Sequence, residues 1–150
     1  MDLHAAVSLP CALGVAHREL ETLDGYPSWL SIVSGIRAAD PDPRDDGPAW
    51  WVDLGAGVGP LRLRKRVRMV RVANTEVRVR FERRETDGGD HHAWTLDVQL
   101  TAAPDGTAMS TGVEIALHYG GSLPPLVDRF LAGEVGRAGP RLIRRVAAVG

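Results

Sequence analysis

The sequence has few of the features that mark a secreted or membrane-spanning protein. Cys11 is the only cysteine among its 150 residues, so no internal disulfide can form and nothing indicates an oxidising compartment. No apolar run approaches the ~18 residues of a membrane-spanning helix. The start Met-Asp-Leu-His also lacks the basic segment of a signal peptide. We therefore expect one soluble, cytoplasmic domain over residues 1–150.

The chain also lacks an overall charge of one sign, since its net charge is −1. This balance gives no general attraction to nucleic acid or anionic membrane. The cations are unevenly spread, however, and ten of them lie between Leu61 and Arg84, against Glu76 and Glu82 in the same stretch. Within it, Leu61 to Val72 alternates apolar and cationic residues, as a strand with one buried and one solvated face does.

Four arginines of this strand share the predicted outer face: Arg62, Arg64, Arg66 and Arg68. A nucleic-acid reader built on a sheet adds exposed aromatic stacking platforms, which this face lacks, so nucleic acid is disfavoured as a partner. Acidic residues on other outward positions (Glu82, Asp97 and Glu114) can pair with the arginines across strands. We interpret the face as a solvated sheet surface, with a polyanion or partner surface as the alternative.

Hydrophobic periodicity predicts an α+β protein. The predicted strands cover 3–9, 31–39, 49–56, 60–73, 76–85, 91–102 and 107–119. Tight-turn signals at Asp87-Gly-Gly-Asp and Pro104-Asp-Gly-Thr indicate an antiparallel meander. One or two short helices follow the first strand over 10–23, with a break near Gly14 or Arg18. A long helix follows Ser122, bent near Gly136 because of Pro140.

Several segments are similar to the START-like helix-grip superfamily, also called SRPBCC or polyketide cyclase/dehydrase, and in particular to bacterial members. They are Tyr26-Pro-Ser-Trp-Leu, Met69-Val70-Arg71-Val72, Phe81-Glu82-Arg83-Arg84-Glu85 and Leu117-His118-Tyr119-Gly120-Gly121. The resemblance implies a curved antiparallel sheet of about seven strands wrapped around the C-terminal helix, with two short helices after strand 1. It also implies a hydrophobic pocket between sheet and helix, used across the superfamily for lipids, polyketides, hormones or quinones.

The residues that would line this pocket lie on the predicted inward faces or in a predicted aromatic turn, Tyr26-Pro-Ser-Trp-Leu. They are Tyr26, Trp29, Trp50, Lys65, Met69, Phe81, Trp94, Thr111, Tyr119 and Phe130. For each aromatic residue, filling an ordinary core is the competing interpretation. Lys65 breaks the alternation, because its odd number places a cation on the apolar face beside Val67. A shift of the apolar set after Met69 indicates a β-bulge, and a bulge before Lys65 would turn it to water.

We therefore expect the protein to bind a hydrophobic or amphipathic small molecule, such as a lipid, polyketide or quinone. The alternative is an aromatase/cyclase-type enzyme acting on a polyketide-like substrate, in which Lys65, Tyr119, His92 and Arg83 would move protons. A weaker alternative is an interaction module that uses the arginine-rich face. No cofactor is expected, and no metal site, since neighbouring His91 and His92 face opposite ways on a strand. The sequence leaves a homodimer open.

Overall fold

The computed structural model describes residues 1–58, 60–103 and 109–149, and within them one curled antiparallel sheet packs against helices. The strands are β1 Asp2–Leu9, β2 Val33–Ala38, β3 Ala49–Val58, β4 Leu61–Thr75, β5 Arg78–Arg83, β6 Trp94–Ala102 and β7 Thr111–Tyr119. The helices are α1 Leu13–Leu20, a 3-10 helix Leu23–Ser28, α2 Pro125–Gly136 and α3 Ala138–Val149. The spatial order β1-β7-β6-β5-β4-β3-β2 confirms the predicted α+β helix-grip architecture.

The helical segment after β1 differs in detail from the prediction. Its break lies at Glu21 and Thr22, where Thr22 is extended (φ −121, ψ 150), and not near Gly14 or Arg18. The predicted aromatic turn, Tyr26-Pro-Ser-Trp-Leu, belongs in part to the 3-10 helix, which accommodates Pro27. β6 also begins later than predicted, at Trp94. The predicted Pro104-Asp-Gly-Thr turn lies outside the described residues.

The C-terminal helix is interrupted close to the position where the sequence predicts a bend. α2 ends at Gly136 and α3 begins at Ala138, so the interruption lies at Arg137, three residues before Pro140. Because proline has no backbone N–H, Pro140 cannot bond the carbonyl of Gly136 in a continuous helix. The Arg137 N–H instead bonds the carbonyls of Gly133 and Glu134 (3.1 and 3.2 Å). Both helices still bury one apolar face, formed by Val127, Leu131, Val135, Ala138, Leu142 and Val146.

The register of β4 fixes which way each of its side chains points. β3 and β4 pair without interruption from Ala49 opposite Val70 to Val58 opposite Leu61. The β-bulge lies farther along, between Arg71 and Ala73 in the pairing with β5. We call the face that carries Val52, Leu54 and Val67 and packs against the helices the inner face. Lys65 lies opposite Leu54 and therefore belongs to this face.

On the opposite, outer face, several arginines pair with acids. Asp97 accepts hydrogen bonds from Arg78 and Arg80 (2.7 and 2.9 Å), and Glu82 accepts from Arg80 and Arg84 (2.9 Å each). These contacts confirm the predicted cross-strand pairing for Asp97, whereas Glu82 pairs with arginines two residues away in its own segment of the chain. In the described part of the chain no ion pair involves the third predicted acid, Glu114.

Arg68 departs from the predicted solvated face, since its side chain is 2% exposed. The loop 39–48 covers it, and Asp45 in that loop binds the guanidinium in a bidentate pair (Nη1–Oδ1 2.8 Å, Nη2–Oδ2 2.6 Å). Nη2 also donates to the Asp40 carbonyl (2.8 Å) and Nη1 to the Arg84 carbonyl (3.2 Å). The prediction of an exposed Arg68 was wrong because strand alternation describes the sheet and not the loop that folds over it.

Removing one partner of this pair should destabilise the fold strongly. Asp45→Ala leaves a buried guanidinium without its counter-charge, so we expect the free energy of unfolding to fall by about 3 to 5 kcal/mol. Urea denaturation monitored by circular dichroism measures it. Arg44→Ala, which breaks an exposed pair with Asp42 in the same loop, is the control and should change the stability little. A similarly small loss for Asp45→Ala would contradict the structural role of the pair.

The same pair should contribute to acid sensitivity. The hydrogen bond from Arg68 lowers the pKa of the Asp45 carboxyl below its ordinary value, which is about 3.9 in an unfolded chain. The stabilisation is therefore complete above about pH 4 and is lost as the pH falls through the lower folded pKa. We expect Asp45→Asn, measured by urea denaturation at a series of pH values, to lose less stability on acidification than the parent protein. Parallel curves would contradict this.

Candidate functional site

The interior between the inner face and the 3-10 helix encloses an apolar void of about 30 Å³, close to the volume that one water occupies in the liquid. Its lining is hydrophobic throughout: Leu23, Tyr26, Leu30, Ile32, Val33, Ile36, Val52, Leu54, Val67, Met69, Trp94, Leu96 and Leu117. Tyr26, Met69 and Trp94 were predicted pocket residues. A drug-sized ligand needs about 300 Å³ or more, so this conformation is closed.

A cluster of buried aromatic rings includes Tyr26, which lines the void. Tyr26 contacts Trp29 (ring centroids 4.6 Å apart) and Phe81 (6.0 Å), and Phe81 contacts Trp50 (5.7 Å). All four are buried. Tyr26 donates its hydroxyl to the Leu20 carbonyl (2.9 Å), and burial raises the pKa of its phenol. These contacts give the four predicted aromatic residues a packing role, and Tyr26 stays protonated at neutral pH.

A second group of predicted residues meets at the edge of the inner face. Trp94 and Tyr119 stack with ring centroids 4.5 Å apart, and the Lys65 Nζ lies 5.4 Å from the Tyr119 ring centroid. The His92 ring approaches the same Tyr119 ring edge-on at 5.8 Å. Lys65 is half-buried and His92 is exposed. The cluster of Lys65, His92, Trp94 and Tyr119, which we name the rim cluster, thus joins solvent to the wall of the void.

The Gly120-Gly121 pair after β7 makes room for this cluster. A Cβ on Gly121 would lie 2.9 Å from Cε2 of Tyr119 and nearer still to its hydroxyl. A side chain there would displace the Tyr119 ring from its stack on Trp94. The Gly120 N–H bonds the Ala93 carbonyl (2.9 Å), which brings the loop carrying His92 against the end of β7.

Two buried indole groups have no hydrogen-bond acceptor in the described part of the chain. They are the Nε1–H groups of Trp29 and Trp94, whose side chains are almost fully buried. A buried donor without an acceptor costs about 1–3 kcal/mol. Trp94 lies in the wall of the void and in the rim cluster. An acceptor atom brought in from outside the chain would therefore have a donor here.

Three other predicted site residues lie elsewhere or are already engaged. Thr111 is buried at the start of β7 and donates to the Cys11 carbonyl (2.9 Å), which ties β7 to the segment before α1. Arg83 binds Glu85 (2.9 Å) and donates to the His92 carbonyl (3.3 Å). Phe130 is partly buried on α2 and packs on the core. None of the three lines the void.

The sequence argument missed the side of the void that Leu23, Ile32, Val33 and Ile36 form. The sequence placed Leu23 in the predicted helical segment and the other three in the predicted strand 31–39, and their role as a wall depends on how the 3-10 helix folds back over the sheet. In the described residues, no group of three or more His, Cys, Asp or Glu side chains is placed to hold a metal ion. Within the same residues no helix has the length and apolarity needed to cross a membrane.

The fold is shared with solved structures of low sequence identity. A START superfamily protein from Mycobacterium smegmatis superposes with a TM-score of 0.69 and 16% identity, covering 99% of each chain. A Thermus thermophilus protein gives 0.67 and 18% identity, covering 100% of this chain and 99% of that one. A Deinococcus radiodurans protein gives 0.67 and 14%, covering 99% and 97%. No family model matches the sequence, and no curated protein does. The architecture of this chain is the helix-grip fold of START-like proteins.

Proposed function

We propose that the protein binds a hydrophobic or amphipathic small molecule between the inner face of the sheet and its helices. The observation that carries this proposal is the position of Lys65, whose ammonium lies over Tyr119 beside a void with a wholly apolar lining. Apolar walls with a few polar groups at one end are typical of small-molecule sites. The ligand would place its apolar part in the interior and an oxygen acceptor or anionic group at the rim cluster.

Two donors at the rim support an oxygen-bearing end group. The Trp94 indole N–H has no acceptor in the described residues, and Lys65 contributes three N–H donors and a positive charge. A carboxylate, enolate or quinone-type carbonyl would satisfy both kinds of donor. This chemistry fits the ligands of the superfamily that the chain resembles, among which are lipids, polyketides and quinones.

Binding requires the closed interior to open. Because the void of about 30 Å³ holds no more than a small group, a larger ligand must displace part of its wall. The 3-10 helix and β2 are the favoured parts, since β2 is a six-residue edge strand paired on one side only, with an irregularity between Val33 and Gly35. Moving them breaks fewer ladder hydrogen bonds than parting β3 from β4.

The cyclase alternative rests on the same rim cluster. The Lys65 ammonium and the His92 ring both lie against the Tyr119 ring. Three groups that transfer protons in one enzymatic reaction need to lie close together in this way. The fourth candidate, Arg83, is engaged with Glu85 and the His92 carbonyl. Alanine at Lys65, Tyr119 or His92 would then abolish turnover of a poly-ketone substrate. If the protein binds such a substrate without converting it, the cyclase alternative is wrong and the binding function remains.

Lys65→Met should separate recognition of the end group from burial of the tail. Methionine keeps a flexible side chain of similar length without the ammonium, so a dansyl-labelled fatty acid should bind about tenfold more weakly, as loss of one charge-assisted hydrogen bond implies. Its dansyl-labelled alcohol, which has no carboxylate, should bind both proteins equally. Fluorescence titration measures both affinities.

Arg18→Met is the matched control, because it removes an exposed cation on α1 and lowers the net charge by the same one unit as Lys65→Met. It should leave both affinities unchanged. The proposed orientation is wrong if Lys65→Met binds the fatty acid as tightly as the parent protein. The whole proposal fails if neither probe binds the parent protein.

A further inference from the structure

A groove of about 740 Å³ lies on the β3–β4 hairpin, next to the end of β2. Ser34, Asp53, Leu54, Gly55, Gly57, Arg62, Arg64, Lys65 and Arg66 line it. Its volume is in the range of small-molecule clefts, about 300–1,000 Å³. Gly57 pairs with Arg62 and Gly55 with Arg64, so two residues without side chains lie opposite two arginines. These pairs belong to the outer face, whereas two other lining residues, Leu54 and Lys65, belong to the inner face.

The glycine at position 57 is needed by its neighbour. A Cβ on Gly57 would lie 3.3 Å from the guanidinium carbon of Arg62 and closer still to its Nη1. The guanidinium therefore lies across the hairpin, directly over the Gly57 backbone. Gly57 is not among the residues with a positive φ, so its backbone could be occupied by alanine without strain. The Arg62 guanidinium can lie against the Gly57 backbone because glycine has no side chain.

The arginines of the groove differ from the others on the outer face. Arg78, Arg80 and Arg84 all bind carboxylates. In the groove Arg66 binds Asp53 (2.8 Å), and in the described part of the chain no ion pair or hydrogen bond involves the side chain of Arg62 or Arg64. Among the described lining residues Asp53 is the one acid, against three outer-face arginines, Arg62, Arg64 and Arg66, since Lys65 belongs to the inner face. The groove therefore has a local excess of positive charge in a chain whose net charge is −1.

We propose that this groove binds a ligand with clustered phosphate groups through Arg62 and Arg64. Guanidinium groups form bidentate hydrogen bonds with phosphate oxygens. The two arginines are two positions apart on β4, so they are separated by about 7 Å along the strand. This spacing allows each guanidinium to bind a different phosphate group. Among the lining residues that the structure describes there is no aromatic ring on which a nucleobase could stack. The shared chemistry is the phosphate cluster, either free in solution or in a lipid headgroup.

Tripolyphosphate is the probe for the free form, and vesicles of phosphatidylcholine with phosphatidic acid are the probe for the headgroup. Isothermal titration and vesicle co-sedimentation measure the two. Arg62→Ala/Arg64→Ala should weaken binding of the preferred probe at least about tenfold, since two charge-assisted contacts are lost. Arg78→Ala removes an outer-face cation that is paired with Asp97 outside the groove, and it should change the affinity less than about twofold.

Gly57→Ala tests the shape of the site with all charges kept. Its new methyl group displaces the Arg62 guanidinium, so we expect binding to weaken about threefold with an unchanged thermal midpoint. Preference for tripolyphosphate or for vesicles tells which source of phosphate the groove accepts. The proposal is overturned if neither probe binds, if Arg78→Ala weakens binding as much as the double substitution, or if Gly57→Ala binds like the parent protein.

Discussion

The uninterrupted register between β3 and β4 is the constraint on which both faces of the molecule depend. Because side chains alternate along a strand, this single pairing assigns every β4 residue before the bulge to the core or to the outer face. A slip of one residue would expose Val67 and Met69 and bury the arginines. The bulge after Arg71 lies beyond the part of β4 that carries Lys65 and the groove arginines. The strand can thus bend at one end and keep its alternation at the other.

Along β4 the cations of the outer face occupy three different environments. Arg68 is buried beneath the loop that contains Asp45, Arg66 forms an exposed pair with Asp53, and Arg62 and Arg64 lie opposite glycines of β3. The environment changes with distance from the covering loop and not with residue type. Identical residues at a two-residue spacing therefore serve packing, surface pairing and, in our proposal, ligand recognition.

Local sequence rules predicted what depends on neighbours in the chain. Alternation placed Lys65 on the inner face, and Pro140 predicted a bend near Gly136, where the helix is interrupted, because both effects act within a few residues. Arg68 was assigned to solvent because its burial depends on a loop some twenty residues away in sequence. Thr111 shares the inward parity of its strand but lies at the end of β7 that contacts Cys11. The small size of the void depends on how several elements pack together, which periodicity does not describe.

The chain has eighteen lysines and arginines, and Lys65 is the single lysine among them. Arginine guanidinium groups do not undergo the acylation reactions of primary amines, so apart from the amino terminus the molecule offers those reactions one target. That target lies over Tyr119 in the rim cluster. Acetylation of this one side chain would remove the ammonium charge of the rim and leave the arginines of the outer face intact. Among side-chain amines, a modification that is spread over many sites in most proteins is here confined to the rim cluster beside the apolar void.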